Sequence, residues 1–232
     1  MNYFSYLFDA SRWAGDGGTG QLLLQHLAYT AAAVAIGALV AIPLGILIGH
    51  TGRGGFLVIG ISNAARAIPS IGLLVLVVLL TSTGFGPTAL VLAVLALPAI
   101  LTATAAGISG ADPDAVYAAR ALGMTGGQIV RGVEWPLAVP LVISGLRSAT
   151  LQVVATATVA AFAAGGGLGQ LLISGQRSRD YSQMLAGAVL IAALAVVLDL
   201  LIGGLGLLAA RRVAPRRTTK DKTVAPAVTA RA

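Results

Sequence analysis

The composition of this 232-residue chain indicates a membrane protein. Hydrophobic residues make up 57% of it and charged residues only 10%, whereas soluble domains carry about 25% charged residues. The absence of cysteine and the presence of only two histidines exclude disulfide scaffolds and thiol chemistry and disfavour a zinc site. The formal net charge of +7 is carried mostly by segments between apolar stretches and by the tail, so we attribute it to membrane lipid and orientation rather than to nucleic acid.

The first predicted element is an amphipathic lead-in at residues 1–20, on the extracytoplasmic side. It carries Asp9, Arg12 and Asp16 and lacks both a basic start and a continuous apolar core, so it is not a signal peptide. Five stretches that are long and apolar enough to span a membrane follow. We predict them at 26–49, 57–81, 87–108, 136–164 and 183–209. The predicted fold is therefore all-α and integral to the membrane, with a transmembrane domain at 21–209.

Basic residues determine the predicted orientation. The tail at 210–232 is rich in Lys, Arg, Thr, Ala and Pro, which predicts a disordered segment on the cytoplasmic side. The loops that hold Arg53 and Arg120 then face the cytoplasm as well. With five spans the amino terminus lies outside, so we predict a multi-pass protein of the cell membrane whose carboxyl terminus is cytoplasmic.

Prolines and threonines inside the spans are candidates for shaping a pathway. Pro43 and Pro69 are expected to bend their helices, which helps to form a gate or a cavity. Thr156 and Thr158 are two residues apart and cannot both face one side of a helix. One of them is expected to line the pathway; the alternative is that each bonds only to its own backbone.

Charged residues within the predicted spans include Arg147 and Asp199. Arg147 lies roughly 16 Å into the fourth span, where a charge is costly and commonly functional. The alternative is a structural arginine that bonds to helix-end carbonyls or to Gln152. Asp199, in the fifth span, is expected to pair with Arg211 or with a partner subunit rather than to relay protons.

The polar segment at 109–136, between the third and fourth spans, is predicted to be an ordered loop of two short helices. Asp112 can cap a helix that begins at Pro113, and Gly123 fits the position just after its end. Thr125 and Gln128 have the spacing of a capping box, which predicts a second helix start. Such a loop is either a plain connector or a rigid handle by which a partner moves the spans.

The same loop carries a spaced motif: Tyr117-Ala118-Ala119, then Gly123 after three residues, then Val133-Glu134-Trp135-Pro136 after nine more. This pattern resembles the EAA loop of ABC importer permeases, Glu-Ala-Ala-x3-Gly-x9-Ile-x-Leu-Pro, with tyrosine in place of the usual glutamate. The resemblance implies the type I ABC importer permease fold, in which this loop is a coupling helix that docks in a groove of the ATP-binding subunit. The residues it implies in coupling are Tyr117, Ala118, Ala119, Gly123, Glu134 and Pro136.

Further motifs narrow the resemblance to one subfamily of these permeases. They are Gln25-His26-Leu27, Ala41-Ile42-Pro43-Leu44-Gly45, Ala67-Ile68-Pro69-Ser70, Gly145-Leu146-Arg147-Ser148-Ala149 and the stretch 156–169. Over residues 21–208 they resemble the permease subunit of osmoprotectant importers, which take up glycine betaine, choline, carnitine or proline betaine. The resemblance implies a pathway that works by alternating access. We predict as its pathway or gate residues Pro43, Pro69, Ser70, Arg147, Thr156 and Thr158.

The resemblance also implies partners. They are an ATP-binding subunit, an extracytoplasmic substrate-binding protein that meets a flexible turn at 165–169, and a second permease copy or paralogue, because one five-span chain is too small to enclose a pathway. The sequence has no Gly-x4-Gly-Lys-Ser/Thr phosphate loop. We therefore expect no catalytic residue, no metal and no cofactor on this chain, with ATP and Mg²⁺ used by the ATP-binding subunit.

Three alternatives remain open. The nearest is an ABC permease for another small solute, such as amino acids or methionine. An ion-coupled secondary transporter or channel would need buried carboxylates along the spans and internal repeats; only Asp199 qualifies, and the sequence has no clear repeat. A membrane-bound enzyme would need polar catalytic groups clustered at one face, and the sequence displays none.

Overall fold

A computed structural model of the chain describes residues 5–56, 69–81, 83–164 and 166–213, together with residues 58, 60, 64 and 67. The regular structure in these residues is helical throughout. The helices are α1 (Ser5–Phe8), a 3-10 turn (Ala10–Arg12), α2 (Thr19–Thr51), α3 (Ser70–Leu80), α4 (Phe85–Ser109), α5 (Pro113–Ala121), α6 (Gly126–Ile129), a π-helical turn (Val130–Glu134), α7 (Trp135–Ala164), α8 (Gly169–Ser178) and α9 (Tyr181–Val213).

Four helical stretches in the described part of the chain are long and apolar enough to cross a membrane: Thr19–Thr51, Phe85–Ser109, Gly126–Ala163 and Tyr181–Leu208. They correspond to the first, third, fourth and fifth predicted spans, so the predicted all-α membrane fold is confirmed. The predicted second span, 57–81, lies partly outside the described residues. Its described part contains α3, which has 11 residues and is about 16 Å long.

The core lies where α2, α4 and α7 meet, and small residues dominate it. Lipid tails are as apolar as leucine, so spanning helices associate largely through close packing, which small residues permit. A Cβ added at Gly45 of α2 would lie 2.6 Å from the Cβ of Thr104 in α4. Gly145 of α7 approaches Ala103 of α4 in the same way. The three helices therefore touch backbone to backbone along their length.

The predicted lead-in packs onto the body of the protein. Tyr6 is buried in a cluster with Leu22 of α2 and Leu168, and the indole Nε1 of Trp13 donates to the carbonyl of Leu7 at 2.9 Å. The first spanning helix begins at Thr19, seven residues before the predicted start at position 26. At the other end, α9 runs to Val213, past the predicted boundary at 209, and the rest of the predicted tail lies outside the described residues.

Helix α8 was not predicted. It follows α7 after a turn in which Gly166 and Gly167 have φ values of +95° and +70°, a region that favours glycine. Gly169, at the start of α8, lies so close to the backbone carbonyl of Thr158 that no side chain would fit. The chain therefore doubles back sharply at the end of α7, and α8 lies against the outer part of α7 and α9.

Candidate functional site

The loop between α4 and α7 has the predicted two-helix form. Asp112 caps α5, because its Oδ1 accepts from the backbone amide of Asp114 at 2.9 Å. The helix ends at Ala121, and Gly123 follows with φ +80°. Thr125 and Gln128 form the predicted capping box at the start of α6. The caps at both starts and the left-handed glycine between them make this a defined loop rather than a loose connector.

The exposed side of α5 carries a large aromatic residue and small apolar residues together with the charged residues Asp114 and Arg120. Ala119 is 4% exposed and points towards the protein, whereas Tyr117 is 77% exposed and Leu122 is 83% exposed. Ala118 is exposed beside them. Large apolar side chains turned outward from a short, capped helix are typical of a surface that another protein covers.

Glu134 and Pro136, the last two residues of the predicted coupling set, lie where the loop joins α7. Glu134 ends the π-helical turn and is 4% exposed. Its Oε2 and Oε1 lie 2.8 Å and 3.0 Å from Nδ1 of His50, the penultimate residue of α2. Sequence reasoning missed this pair because the two residues are 84 positions apart. The signal available was a carboxylate and a histidine at the ends of two spans that border the same loop side of the protein.

A polar stripe runs along α7 at membrane depth. Ser144, Ser148 and Gln152 recur every four residues and are all exposed, so they lie on one side of the helix. Among the described residues, none supplies a hydrogen bond to these three side chains. Unpaired polar side chains are costly against lipid. This face of α7 is therefore suited to an aqueous pathway or to contact with another subunit.

The structure brings together two of the predicted pathway residues. Ser70 at the start of α3 and Thr156 of α7 line one narrow cleft, and Pro69 directly precedes α3. Thr156 lies one turn beyond Gln152 and its hydroxyl donates to the carbonyl of Gln152 at 2.8 Å. Thr158 donates to the carbonyl of Val154 at 2.9 Å. Both hydroxyls thus bond to their own helix.

Two predicted pathway residues lie away from this cleft. Pro43 is exposed within α2 and does not line it. Arg147 pairs with Asp199 of α9: its Nε donates to Oδ1 at 2.8 Å and its Nη2 donates to Oδ2. The pair lines a cavity of about 450 Å³ between α7 and α9, which Ser144 also lines.

The partner of Asp199 differs from the prediction. Arg211 was expected to pair with it, but on one helix the two are 12 residues, or about 18 Å, apart along the axis. Arg147 reaches Asp199 instead, because Gly203 leaves room for the guanidinium: a Cβ there would lie 3.3 Å from its Cζ. The side chain of Arg211 lies outside those described.

The turn after α7, predicted to be flexible, is held by hydrogen bonds in its described residues 166–169. The amide of Gly167 donates to Oε1 of Gln25 at 3.1 Å. The ring of His26 is fully buried; its Nδ1 accepts from the amide of Leu168 at 3.3 Å, and its Nε2 lies 3.2 Å from the carbonyl of Val154. A neutral ring protonated on Nε2 satisfies both contacts, so one side chain ties α2, α7 and the turn together.

Within the described ranges, no group of three or more His, Cys, Asp or Glu residues is placed to hold a metal ion. The charged side chains at membrane depth are instead arranged as a pair, Arg147 with Asp199. The polar features of the described residues are thus a capped loop, a polar face of α7, the Arg147–Asp199 ion pair and the contact of His50 with Glu134.

These features define a class of protein. The family described as "Binding-protein-dependent transport system inner membrane component" matches residues 41–215. The chain belongs to this family, and its apolar helices are those of a multi-pass membrane protein. The fold is that of the type I ABC transporter permeases, as predicted.

Individual relatives are permease proteins. The chain is 32% identical over 200 residues to the glycine betaine/carnitine/choline transport system permease protein OpuCB of Bacillus subtilis (strain 168), covering 85% of this chain and 90% of that one. It is 34% identical to the choline transport system permease protein OpuBB of the same organism, covering 78% and 84%. It is 34% identical to the osmoprotectant import permease protein OsmW of Salmonella typhimurium, covering 87% and 94%.

Solved structures agree with this family. A chain of the MetNI methionine ABC transporter, in inward-facing conformations (CY5 native crystal form), matches with a TM-score of 0.70 and 26% identity, covering 87% of this chain and 100% of that one. The SeMet soak crystal form matches with a TM-score of 0.68 and 27% identity, covering 83% and 94%.

Proposed function

We propose that this chain is the membrane-spanning permease subunit of an ATP-driven ABC importer for osmoprotectants such as glycine betaine, choline and carnitine. Relatives that are 32–34% identical bear permease names for these solutes. In this proposal the chain offers the translocation pathway and works by alternating access. ATP and Mg²⁺ are used by a separate ATP-binding subunit, and a substrate-binding protein delivers the solute from outside.

The observation that carries the proposal is the outward face of α5. Tyr117 and Leu122 are the most exposed large apolar side chains of the loop, and the capped ends of α5 hold them in fixed positions. Rigid, exposed aromatic and aliphatic anchors are what a partner groove recognises. We assign to this face the docking of the ATP-binding subunit, with Ala118 allowing close approach and Tyr117 replacing the polar contact of the usual glutamate.

The polar stripe of α7 supports a pathway on this helix. Ser144, Ser148 and Gln152 lie on its exposed face and lead towards the cleft that Thr156 shares with Ser70 of α3. We propose that this face, together with its counterpart on a second permease copy or paralogue, lines the route of the solute. Small hydroxyl and amide groups bind a zwitterion or a quaternary ammonium ion weakly, which suits a route that must also release its cargo.

The remaining candidates keep supporting roles in the proposal. Arg147 lies at the edge of the route with its charge neutralised by Asp199, so it positions α7 against α9 and does not repel a cation. Pro43 shapes α2 from within, and Pro69 sets where α3 begins. The basic loops and the tail beyond Val213 face the cytoplasm and the lead-in faces outside, in accord with the distribution of basic residues.

The first experiment isolates the complex. The tagged protein is solubilised in detergent from its native host, and the proteins that co-purify are identified by mass spectrometry. Wild type is compared with Tyr117→Asp, and Tyr181→Asp serves as the matched control because Tyr181 is a 60% exposed tyrosine at the outer end of α9. We expect Tyr117→Asp to weaken retention of the ATP-binding subunit by about thirtyfold, as loss of an interface anchor does, and Tyr181→Asp to retain it.

The second experiment tests the cargo. The isolated complex is reconstituted in vesicles with its binding protein, and uptake of labelled glycine betaine, choline and methionine is measured with ATP inside. ATP-dependent uptake of betaine or choline is the expected result. Uptake of methionine alone would show that the proposed cargo is wrong, whereas the assignment as an ABC permease would stand. Uptake that follows an ion gradient without ATP, or equal ATPase retention by both tyrosine variants, would contradict the proposal.

A further inference from the structure

The contact between His50 and Glu134 joins the end of α2 to the end of the loop, which are far apart in the sequence. Glu134 is buried, and both its oxygens lie within hydrogen-bond distance of Nδ1 of His50. On the other side of the imidazole, a Cβ added at Gly126 would lie 3.1 Å from Nε2. The ring of His50 is thus held between the start of α6 and the end of the π-helical turn.

His50 itself is anchored in the transmembrane core. The residue before it, Gly49, packs against α4 so closely that a Cβ there would lie 2.7 Å from the carbonyl oxygen of Ala105 and 2.7 Å from the Cβ of Ile108. The end of α2 therefore cannot move independently of α4. Glu134, in contrast, belongs to the loop and to the start of α7. The pair connects the loop to the α2–α4 unit.

Few other polar contacts restrain the loop. Among the described residues, His50 with Glu134 is the only side-chain hydrogen bond between segment 112–134 and another helix. An open cleft of about 300 Å³ lies between α5 and the ends of α2 and α4, lined by Gly49, Val116, Arg120 and Glu134 among others. Without the pair, the loop would be held against α2 and α4 by apolar contacts such as those of the buried Ala119 and Ile129.

The backbone conformation that leads to Glu134 supports a functional role for its contact with His50. A π-helical turn is a rare form that recurs at functional sites, and here it ends at Glu134. A buried carboxylate costs free energy unless it is paired, and the best-attested benefit of such a pair is that it fixes one geometry. The pair is thus suited to holding α5 at a set position against the spans.

We propose that His50 and Glu134 are positioning residues that pass the displacement of the coupling loop to the α2–α4 unit, so that movement of the ATP-binding subunit opens or closes the pathway. Neither residue touches the solute or the nucleotide. The inference rests on the proposed function. It adds a second connection from the loop to the membrane, besides the covalent continuity of α7.

The experiment measures solute transported per ATP hydrolysed, using the complex reconstituted in vesicles as above. Glu134→Ala, His50→Ala and the double variant are compared with wild type. Thr51→Val is the matched control, because among the described residues the hydroxyl of Thr51 bonds only to the carbonyl of Leu47 and the amide of Arg53 nearby. Co-purification of the ATP-binding subunit and the melting temperature are measured on the same samples.

We expect each alanine variant to lower solute transported per ATP by about fivefold or more, the range of typical coupling between sites, while the ATP-binding subunit is retained. The double variant should be no worse than the singles, since either change removes the same contact. Glu134→Gln keeps an oxygen that accepts from Nδ1 and should recover most of the ratio. Thr51→Val should match wild type.

Three results would overturn the proposal: an unchanged ratio in Glu134→Ala, additive losses in the double variant, or a loss in Glu134→Gln equal to that in Glu134→Ala. Should Glu134→Ala fail to assemble, Glu134→Asp against Glu134→Gln makes the same comparison, because the shorter acid withdraws from His50. Absence of ATP-dependent uptake in wild type would instead refute the proposed function. The two failures are therefore distinguishable.

Discussion

Replacing Gly45 by alanine tests whether α2 and α4 touch as closely as described. The added methyl would lie 2.6 Å from the Cβ and 2.9 Å from the Cγ2 of Thr104, and 3.2 Å from the amide nitrogen of Ala105. Carbon atoms prefer a separation of about 3.5–4.0 Å, so the two helices must part by about 1 Å. The side chain of Thr104 cannot turn away easily, since its hydroxyl donates to the carbonyl of Ile100 at 2.8 Å.

We expect Gly45→Ala to destabilise the protein by about 1–3 kcal/mol, the usual cost of overpacking a core. For a chain of this size the melting temperature should fall by about 2–12 °C. The assay is thermal unfolding of the purified protein in detergent. The control is Gly204→Ala in α9, where no atom lies within 4 Å of the added Cβ; alanine is favoured there by about 0.5–1 kcal/mol.

A second-site change sharpens the test. Thr104→Gly removes the Cβ that meets the new methyl, so in combination with Gly45→Ala it should cost less than the sum of the single changes, with a coupling of about 0.5–3 kcal/mol. Equal melting temperatures for Gly45→Ala and Gly204→Ala would refute the reasoning. Strict additivity of the two changes would refute the assignment of Thr104 as the clashing neighbour.

Three further predictions concern local features. Hydrogen bonds from Ser182 hold the pKa of Asp180 below its usual 3.8, so its capping of α9 should add stability above that pH and lose it as the pH falls further; Asp180→Ala should cost about 1 kcal/mol at pH 7 and nothing in strong acid, by thermal unfolding. His26→Ala should cost about 1–3 kcal/mol and speed amide exchange in the turn at 166–168. Gly123→Val, at φ +80°, should cost about 1–2 kcal/mol and expose the loop to proteolysis, whereas Gly127→Val should do so far less.

Local signals in the sequence predicted the loop well. The caps at Asp112 and Thr125 and the glycine at 123 depend only on neighbours a few residues away, and the structure has all three as predicted. The long apolar runs likewise predicted the spanning helices. These features depend on residue type and short spacing, which a sequence displays directly.

Pairings across helices could not be predicted in the same way. Apart from the polar stripe of α7, the spans are largely apolar on all sides, so their sequences do not reveal which side of each helix meets which neighbour. The contacts of Arg147 with Asp199 and of His50 with Glu134 depend on that rotation. Helix α8 was missed because its ten residues follow a glycine-rich turn and alternate small, polar and apolar types without a clear start.

The π-helical turn at Val130–Glu134 determines the rotation of the loop relative to α7 about the axis of α7. One residue in an α-helix corresponds to a rotation of about 100° and a rise of about 1.5 Å. Deleting one residue from this turn would let it close as an ordinary α-helix, and α5 would swing by about that angle around the axis of α7. Its exposed side would then point along the membrane instead of away from it. Grafts of this loop between related permeases must therefore keep the number of residues between Gly123 and Pro136 as well as the residues that cap and pair there.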